Sequence, residues 1–148
     1  MSIFDSFSIN ASGLTAERYR MDVISENIAN IDTTRTEDGT PYRRKLVTFE
    51  EKGKNGTFAS ALAKAKGDYV GGGVRVGKTY EDTETEMKMV YDPSHPDADE
   101  NGYVTYPNVN VVTEMTNLID ASRSYEANAT AFNASKSMAA RGLEIAQS

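Results

Sequence analysis

The chain has 148 residues, a net charge of −6 and 39% hydrophobic residues, with no Cys, no Trp and one His. Its length is that of one ordinary domain. The acidic balance argues against a nucleic-acid partner, whose phosphates need a basic stripe. Without Cys there are no disulfides, thiolate nucleophiles or zinc ribbons, and one His cannot build a His-based metal cluster.

No run of about 20 apolar residues exists to span a bilayer. The start, Met1-Ser2-Ile3-Phe4-Asp5, lacks the basic and apolar regions of a secretory signal peptide.

The first predicted element is an amphipathic helix from Asp5 to Asp32. Leu14, Met21, Ile24, Ile28 and Ile31 recur at three-, four- and seven-residue steps, with Phe7 and Ala11 upstream. Glu17, Arg20, Asp22 and Glu26 form the opposite face. Asn27 and Asn30 lie one turn apart on one side. Their amides are placed to bond either a neighbouring helix or their own backbone. Asn30 or Asp32 ends the helix.

The middle reads as strand and loop. Tyr42 to Phe49 is rich in strand formers, and its basic run Arg43-Arg44-Lys45, close to Glu50-Glu51, reads as a solvated face. Gly53 to Gly56 is a flexible connection, and Thr57 to Lys66 is a short helix or a loop. Gly71-Gly72-Gly73 is a turn or bulge. Val74, Val76 and Tyr80, then Met87, Met89 and Tyr91, alternate with polar residues and suggest a two-stranded pair. Asp92 to Pro107 carries three prolines and a Gly and reads as irregular.

Two matches to chemical motifs fall in this region. Gly72 to Thr79 satisfies the literal Walker A pattern, but that mechanism needs an apolar strand before the loop and a helix after it. Here the interior is Val-Arg-Val, and Glu81, Asp82 and Glu84 follow, which would repel phosphate. Asp97-Ala98-Asp99-Glu100-Asn101-Gly102 matches half of an EF-hand loop, but its twelfth position is Asn108 instead of a bidentate Glu. His95, between Ser94 and Pro96, reads as a turn-capping residue. No catalytic, cofactor or metal residue is assigned.

The last element is a second long helix, Val111 to Ala146, capped by Asn110 and bounded by Pro107. Val111, Met115, Leu118, Tyr125, Phe132 and Leu143 mark its seam, with Leu118, Tyr125 and Phe132 seven apart. A helix from Asn110 to Ala146 would span about 55 Å. Such a helix needs a partner along its length, either the first helix or a neighbouring molecule. The expected fold is α+β: residues 1–36 and 108–148 form a terminal helical assembly domain with its helices packed as a coiled-coil-like pair, and 37–107 a β-rich middle region.

Ser25-Glu26-Asn27-Ile28-Ala29-Asn30-Ile31-Asp32-Thr33 resembles the N-terminal signature of the bacterial flagellar rod and hook axial proteins. The stretch Asp92-Pro93-Ser94-His95-Pro96 through Tyr103-Val104, then Pro107-Asn108-Val109-Asn110, is similar to the proximal-rod members of that family. So is the run from Glu114-Met115 through Tyr125-Glu126-Ala127-Asn128 to Phe132-Asn133-Ala134. The resemblance implies a structural, non-enzymatic subunit of the basal-body rod outside the cytoplasmic membrane. It implies export by the flagellar type III apparatus without a cleaved signal. Implied partners are other rod subunits and further copies of the chain. Leu14, Met21, Ile24, Asn27, Ile28, Asn30, Ile31, Met115, Leu118, Tyr125, Phe132 and Leu143 are the expected interface, and Asp92, His95 and Tyr103 the expected loop contacts. The competing readings are an export adaptor or chaperone for an axial protein, and a P-loop or calcium-binding protein.

Overall fold

The structure, a computed structural model, describes residues 3–53, 62, 65, 66 and 71–147. The expected connection at 54–56 and most of the segment 57–66 lie outside the described residues. The fold is α+β. Helix α1 spans Ile3–Ala29, strands β1 Lys45–Glu51, β2 Val74–Glu81, β3 Lys88–Tyr91 and β4 Tyr103–Tyr106 follow, and helix α2 spans Val111–Gln147.

Local chemistry sets the helix ends. Asn30 stops α1 with its side chain: Nδ2 donates to the Glu26 carbonyl at 3.0 Å, and Oδ1 accepts from the Thr33 hydroxyl at 3.1 Å. The backbone then turns through residues 30–32. At α2, Asn110 Oδ1 accepts from the N–H groups of Val112 and Thr113 at 3.0 and 3.2 Å. Two orphan donors of the first turn are thereby satisfied.

The strands pair differently from the sequence expectation. β2 pairs with β1, and β3 pairs with β4; β2 and β3 do not pair. The Lys52 N–H donates to the Gly73 carbonyl and the Asp82 N–H to the Arg44 carbonyl, both at 2.8 Å, so β1 and β2 run antiparallel. β4 was missed because prolines at 93, 96 and 107 and Gly102 punctuate the segment. Yet Tyr103-Val104-Thr105-Tyr106 is made entirely of strand formers. Its register, Met89 opposite Thr105, Val90 opposite Val104 and Tyr91 opposite Tyr103, turns Val104 inward, where it is fully buried.

The chain divides into two compact units. The first comprises Met1–Tyr19, Thr48–Gly77 and Ala121–Ser148. Within it, Phe7 meets Phe132 edge-on with ring centroids 5.1 Å apart, and Asn10 Nδ2 donates to Ser135 Oγ at 3.5 Å. A Cβ on Gly13 would stand 3.0 Å from the Asn128 side chain. Asn10 meets Ser135 and Gly13 meets Asn128, so the helices run antiparallel, and Gly13 permits their close approach. Gly73, with φ +96°, fits tightly over α1: a Cβ there would lie 2.2 Å from Ser12 Oγ. Ser12 in turn accepts the Val74 N–H at 3.0 Å and donates to the Ile9 carbonyl at 2.7 Å.

The second unit comprises Arg20–Val47 and Lys78–Asp120. Val23, Ile24, Tyr42 and Val104 are its buried hydrophobic residues.

Gly73 and Gly39 separate two causes of strain. Both have positive φ, but an added Cβ at Gly39 meets nothing within 4 Å. Gly39→Ala is expected to cost about 1 kcal/mol for the backbone conformation alone. Gly73→Ala adds a steric conflict with Ser12 and is expected to cost about 3 kcal/mol. Urea unfolding midpoints of the two variants check the difference.

Candidate assembly site

The Asn27 side chain makes four hydrogen bonds within the second unit. Its Nδ2 donates to the Lys45 carbonyl at 2.9 Å and to Glu114 Oε2 at 3.0 Å. Its Oδ1 accepts from the Lys45 N–H at 2.8 Å and the Tyr42 hydroxyl at 2.9 Å. That fills both donors and both lone pairs of the carboxamide. The residue is 1% exposed. In the unassembled fold, its amide is therefore bonded within the chain.

Glu114, also 1% exposed, carries the network onward. Its Oε1 accepts from Arg44 Nε at 2.8 Å and lies 2.7 Å from the Arg44 NH2 nitrogen. Arg44 also stands 3.6 Å from Asp82. The basic run therefore does not lie on a solvated face: Arg44 is the charge that permits Glu114 to be buried. The fork geometry of guanidinium suits this better than an ammonium would. Asn108 closes the node, accepting the Arg44 N–H at 2.9 Å and donating to the Asp82 and Thr85 carbonyls at 2.8 and 3.2 Å.

The titratable groups follow these contacts. The Thr85 backbone N–H, the Thr85 hydroxyl, the Glu84 N–H and the Arg44 charge together hold the Asp82 carboxyl below the usual carboxylate range, against the opposing effect of burial. Burial, with the nearby carboxylates of Glu26, Glu114 and Glu81, pushes the Tyr42 phenol well above its ordinary value. It stays a donor to Asn27.

The expected interface residues separate into groups. Ile24 is buried with Asn27, whereas Leu14, Met21, Ile28, Asn30, Ile31, Leu118, Tyr125 and Phe132 are half-buried. Phe132 uses one ring edge on Phe7, and Asn30 caps its own helix. Met115 and Leu143 are exposed. The most deeply buried line of α2 is Glu114, Ala121 and Ser135, with Asn128 half-buried at the same heptad position. It alternates with the predicted Leu118–Tyr125–Phe132 line. Heptad spacing was legible, but its second line is small and polar and has no hydrophobic signal.

Sequence reasoning picked out Met115 but missed the rest of a second apolar face. Val112, Met115 and Ile119 follow three- and four-residue steps on α2 and are 73%, 53% and 53% exposed. Met138 and Ile145, seven apart, are exposed near its end. On the β3–β4 pair, Tyr91 and Tyr103 stack edge-on at 5.3 Å and are exposed beside Met89.

The loop Asp92 to Val104 is held by its own side chains. Asp92 accepts the Ser94 hydroxyl at 2.6 Å and the Ser94 N–H at 3.1 Å. These bonds, then the neighbouring His95, hold its carboxyl below the usual range. His95 Nδ1 accepts the Asp97 N–H at 3.1 Å, a turn cap, and its ring stands edge-on to Tyr106. Asp97 accepts from Thr34 and pairs with Arg35, and Asp99 accepts the Asn101 and Tyr103 N–H groups. The EF-hand-like carboxylates are thus committed to turns and to residues 34–35. The Walker-like stretch from Val74 onward lies in β2, with no helix after it.

Glu114→Gln leaves Arg44 only the more distant Asp82 carboxylate and is expected to destabilise the chain by about 3 kcal/mol in urea unfolding. The pH dependence has a defined sign. Because the folded Asp82 pKa is lowered, its contribution is present above the unfolded value of about 3.9 and is lost as pH falls through the folded value. Asp82→Asn is therefore expected to trail wild type by about 2 kcal/mol at neutral pH. That gap closes below about pH 4. Unfolding curves taken from pH 7 to pH 2 check this.

Comparison with known proteins places these features in a family. The family description "Flagella basal body rod protein" matches residues 7–35, and "Flagellar basal body rod FlgEFG protein C-terminal" matches 100–145. The chain is 47% identical to the flagellar basal-body rod protein FlgC of Bacillus subtilis, over 98% of this chain and 99% of that protein. It is 46% identical to that of Borreliella burgdorferi, over 99% of both chains. It is 40% identical to that of Escherichia coli O157:H7, over 99% of this chain and all of that one. With helices at both ends, strand pairs between them and near full-length identity of this order, the chain belongs to the flagellar basal-body rod protein FlgC family.

Proposed function

We propose that the chain is a structural subunit of the bacterial flagellar basal-body rod, without enzymatic activity, assembling with other rod subunits and with further copies of itself. Full-length identity to rod proteins supports the reading. The observation that carries the assembly mechanism is the exposed face Val112–Met115–Ile119 on α2. Contiguous apolar surface of this kind is characteristic of protein–protein contact.

In this reading, residues 1–36 and 108–148 act as the assembly part and 37–107 as the middle region. Half-buried residues of the expected seam, such as Leu118 and Tyr125, serve both the helix pair and its neighbours. Asp92, His95 and Tyr103 belong to a loop that touches adjacent subunits. Head-to-tail, non-closing contacts between such subunits build a helical tube, which transmits motor torque. The chain reaches that site outside the cytoplasmic membrane through the flagellar type III export apparatus.

Replacing Val112, Met115 and Ile119 together by Ser tests the mechanism. The purified variant is expected to keep wild-type helicity, since these side chains are exposed. Each loses a contact worth about 1–2 kcal/mol in the assembled rod. Basal bodies isolated from cells carrying it should lack the subunit, and the cells should not swim. Truncation after Met138 is expected to do the same. Normal swimming of either strain rejects the reading.

A further inference from the structure

The single His of the chain holds a turn by a bond that its charged form cannot make. The Asp97 backbone N–H donates to His95 Nδ1 at 3.1 Å. A backbone amide cannot reverse its role, so Nδ1 presents a lone pair and the ring proton sits on Nε2. Turning the ring over would put a C–H at the same place. Protonation fills the Nδ1 lone pair and leaves two N–H groups facing each other. The Asp97 amide and a solvent proton therefore compete for one site on a half-buried ring.

Asp97 is also the link between this loop and the segment that follows α1. Its Oδ2 accepts from the Thr34 hydroxyl at 2.8 Å, and its Oδ1 lies 3.4 Å from the Arg35 guanidinium. Beside these contacts, an open cavity of about 340 Å³ separates Pro96, Asp99 and Tyr103 from Gly39 and Pro41. At this place the connection between the two segments runs through the Asp97 carboxylate.

The surroundings give a charged ring somewhere to go. The loop carries the carboxylates of Asp92, Asp97, Asp99 and Glu100; Arg35 meets it from the segment after α1, and β4 presents Tyr106 edge-on to the ring. Asp92 belongs to the same turn, its carbonyl accepting the His95 N–H at 3.2 Å. The Ser94 hydroxyl and N–H hold the Asp92 carboxyl below the usual range, so it stays ionised in neutral and mildly acidic solution.

We propose that His95 is a proton-operated latch on the loop. When neutral, it holds the Asp97 amide and so keeps the loop against Thr34 and Arg35. When protonated, it releases that amide and turns toward the Asp92 carboxylate. The latch is closed at higher pH and opens as pH falls through the range in which imidazoles titrate, about 8 to 5. The inference concerns the free chain, so it stands or falls separately from the rod reading. Under that reading, acid would loosen the loop that touches adjacent subunits.

Nitrogen-15 NMR of the full-length chain at a concentration where it is monomeric, followed from pH 8 to pH 5, tests it. That window leaves ordinary carboxylates ionised. At pH 8 the ring is expected as the Nε2–H tautomer with the Asp97 amide protected. As the ring takes up its proton, Asp97 protection, corrected for the intrinsic pH dependence of exchange, is expected to fall at least about tenfold. The Thr34 and Arg35 resonances should shift with the same midpoint, while the Lys45 amide, bonded to Asn27, stays protected. His95→Asn and His95→Ala have no titrating ring, and both should abolish the change at Asp97, Thr34 and Arg35. A ring that titrates without a change at Asp97 overturns the proposal. So does a ring that stays neutral down to pH 5, or a pH response that persists in either variant.

Discussion

The Asn27 carboxamide, with all four of its hydrogen bonds made inside the chain, is the constraint on which the second unit depends. A single side chain bonds the edge of β1 on both its N–H and C=O sides and reaches Glu114 in the first turn of α2. Residue 27 is therefore fixed to residue 45 and to residue 114 at once. A shift of α1 by one residue would break all these bonds together and bury their partners unsatisfied, at about 1–3 kcal/mol each. Hydrophobic contacts would tolerate such a slip better, because they are non-directional.

Glu114 shows why the charge pattern had to be read in three dimensions. A carboxylate with 1% exposure is costly in isolation. Arg44 meets it through Nε and NH2 and is tied by its own backbone N–H to Asn108. The position of Glu114 in the first turn of α2 adds the favourable end of the helix dipole. The pair is thus a means of specifying geometry more than a source of net stability, since buried ion pairs roughly break even against apolar replacements.

Much of the fold was legible from pattern. Both helices, the Asn110 cap and β1 to β3 were visible as periodicity and capping chemistry. Part of what escaped has no hydrophobic signal. Arg44 sits in a run of three basic residues, and nothing in that run marks the middle one as the partner of a buried carboxylate. The line through Glu114, Ala121, Asn128 and Ser135 looks like surface in a one-dimensional pattern. Gly13 lets α1 lie close to Asn128, and Asn27 and Arg44 bond the buried Glu114. β4 hid between prolines, and its pairing with β3 depends on a turn closed by Asp99 and by Gly102 at φ +81°. The exposed apolar face was partly visible through Met115. Val112 and Ile119 were not picked out, because the dominant seam drew attention to its own positions.

A small and polar seam beside an exposed apolar face reverses the usual arrangement of a soluble domain. In the ordinary case the strongest apolar stripe is buried and the solvent face is polar. Here α2 buries Glu114, Ala121 and Ser135 while Val112, Met115, Ile119, Met138 and Ile145 face outward. The inward contacts are directional and define register. The outward ones are non-directional and contribute free energy only when another surface covers them. In the proposed reading, the exposed side chains contribute their apolar area at the contact with a neighbouring subunit, beside an interior whose register the polar contacts define. In that reading, burying Val112 and Ile119 inside the chain would stabilise the monomer and remove apolar area from the contact with the next one.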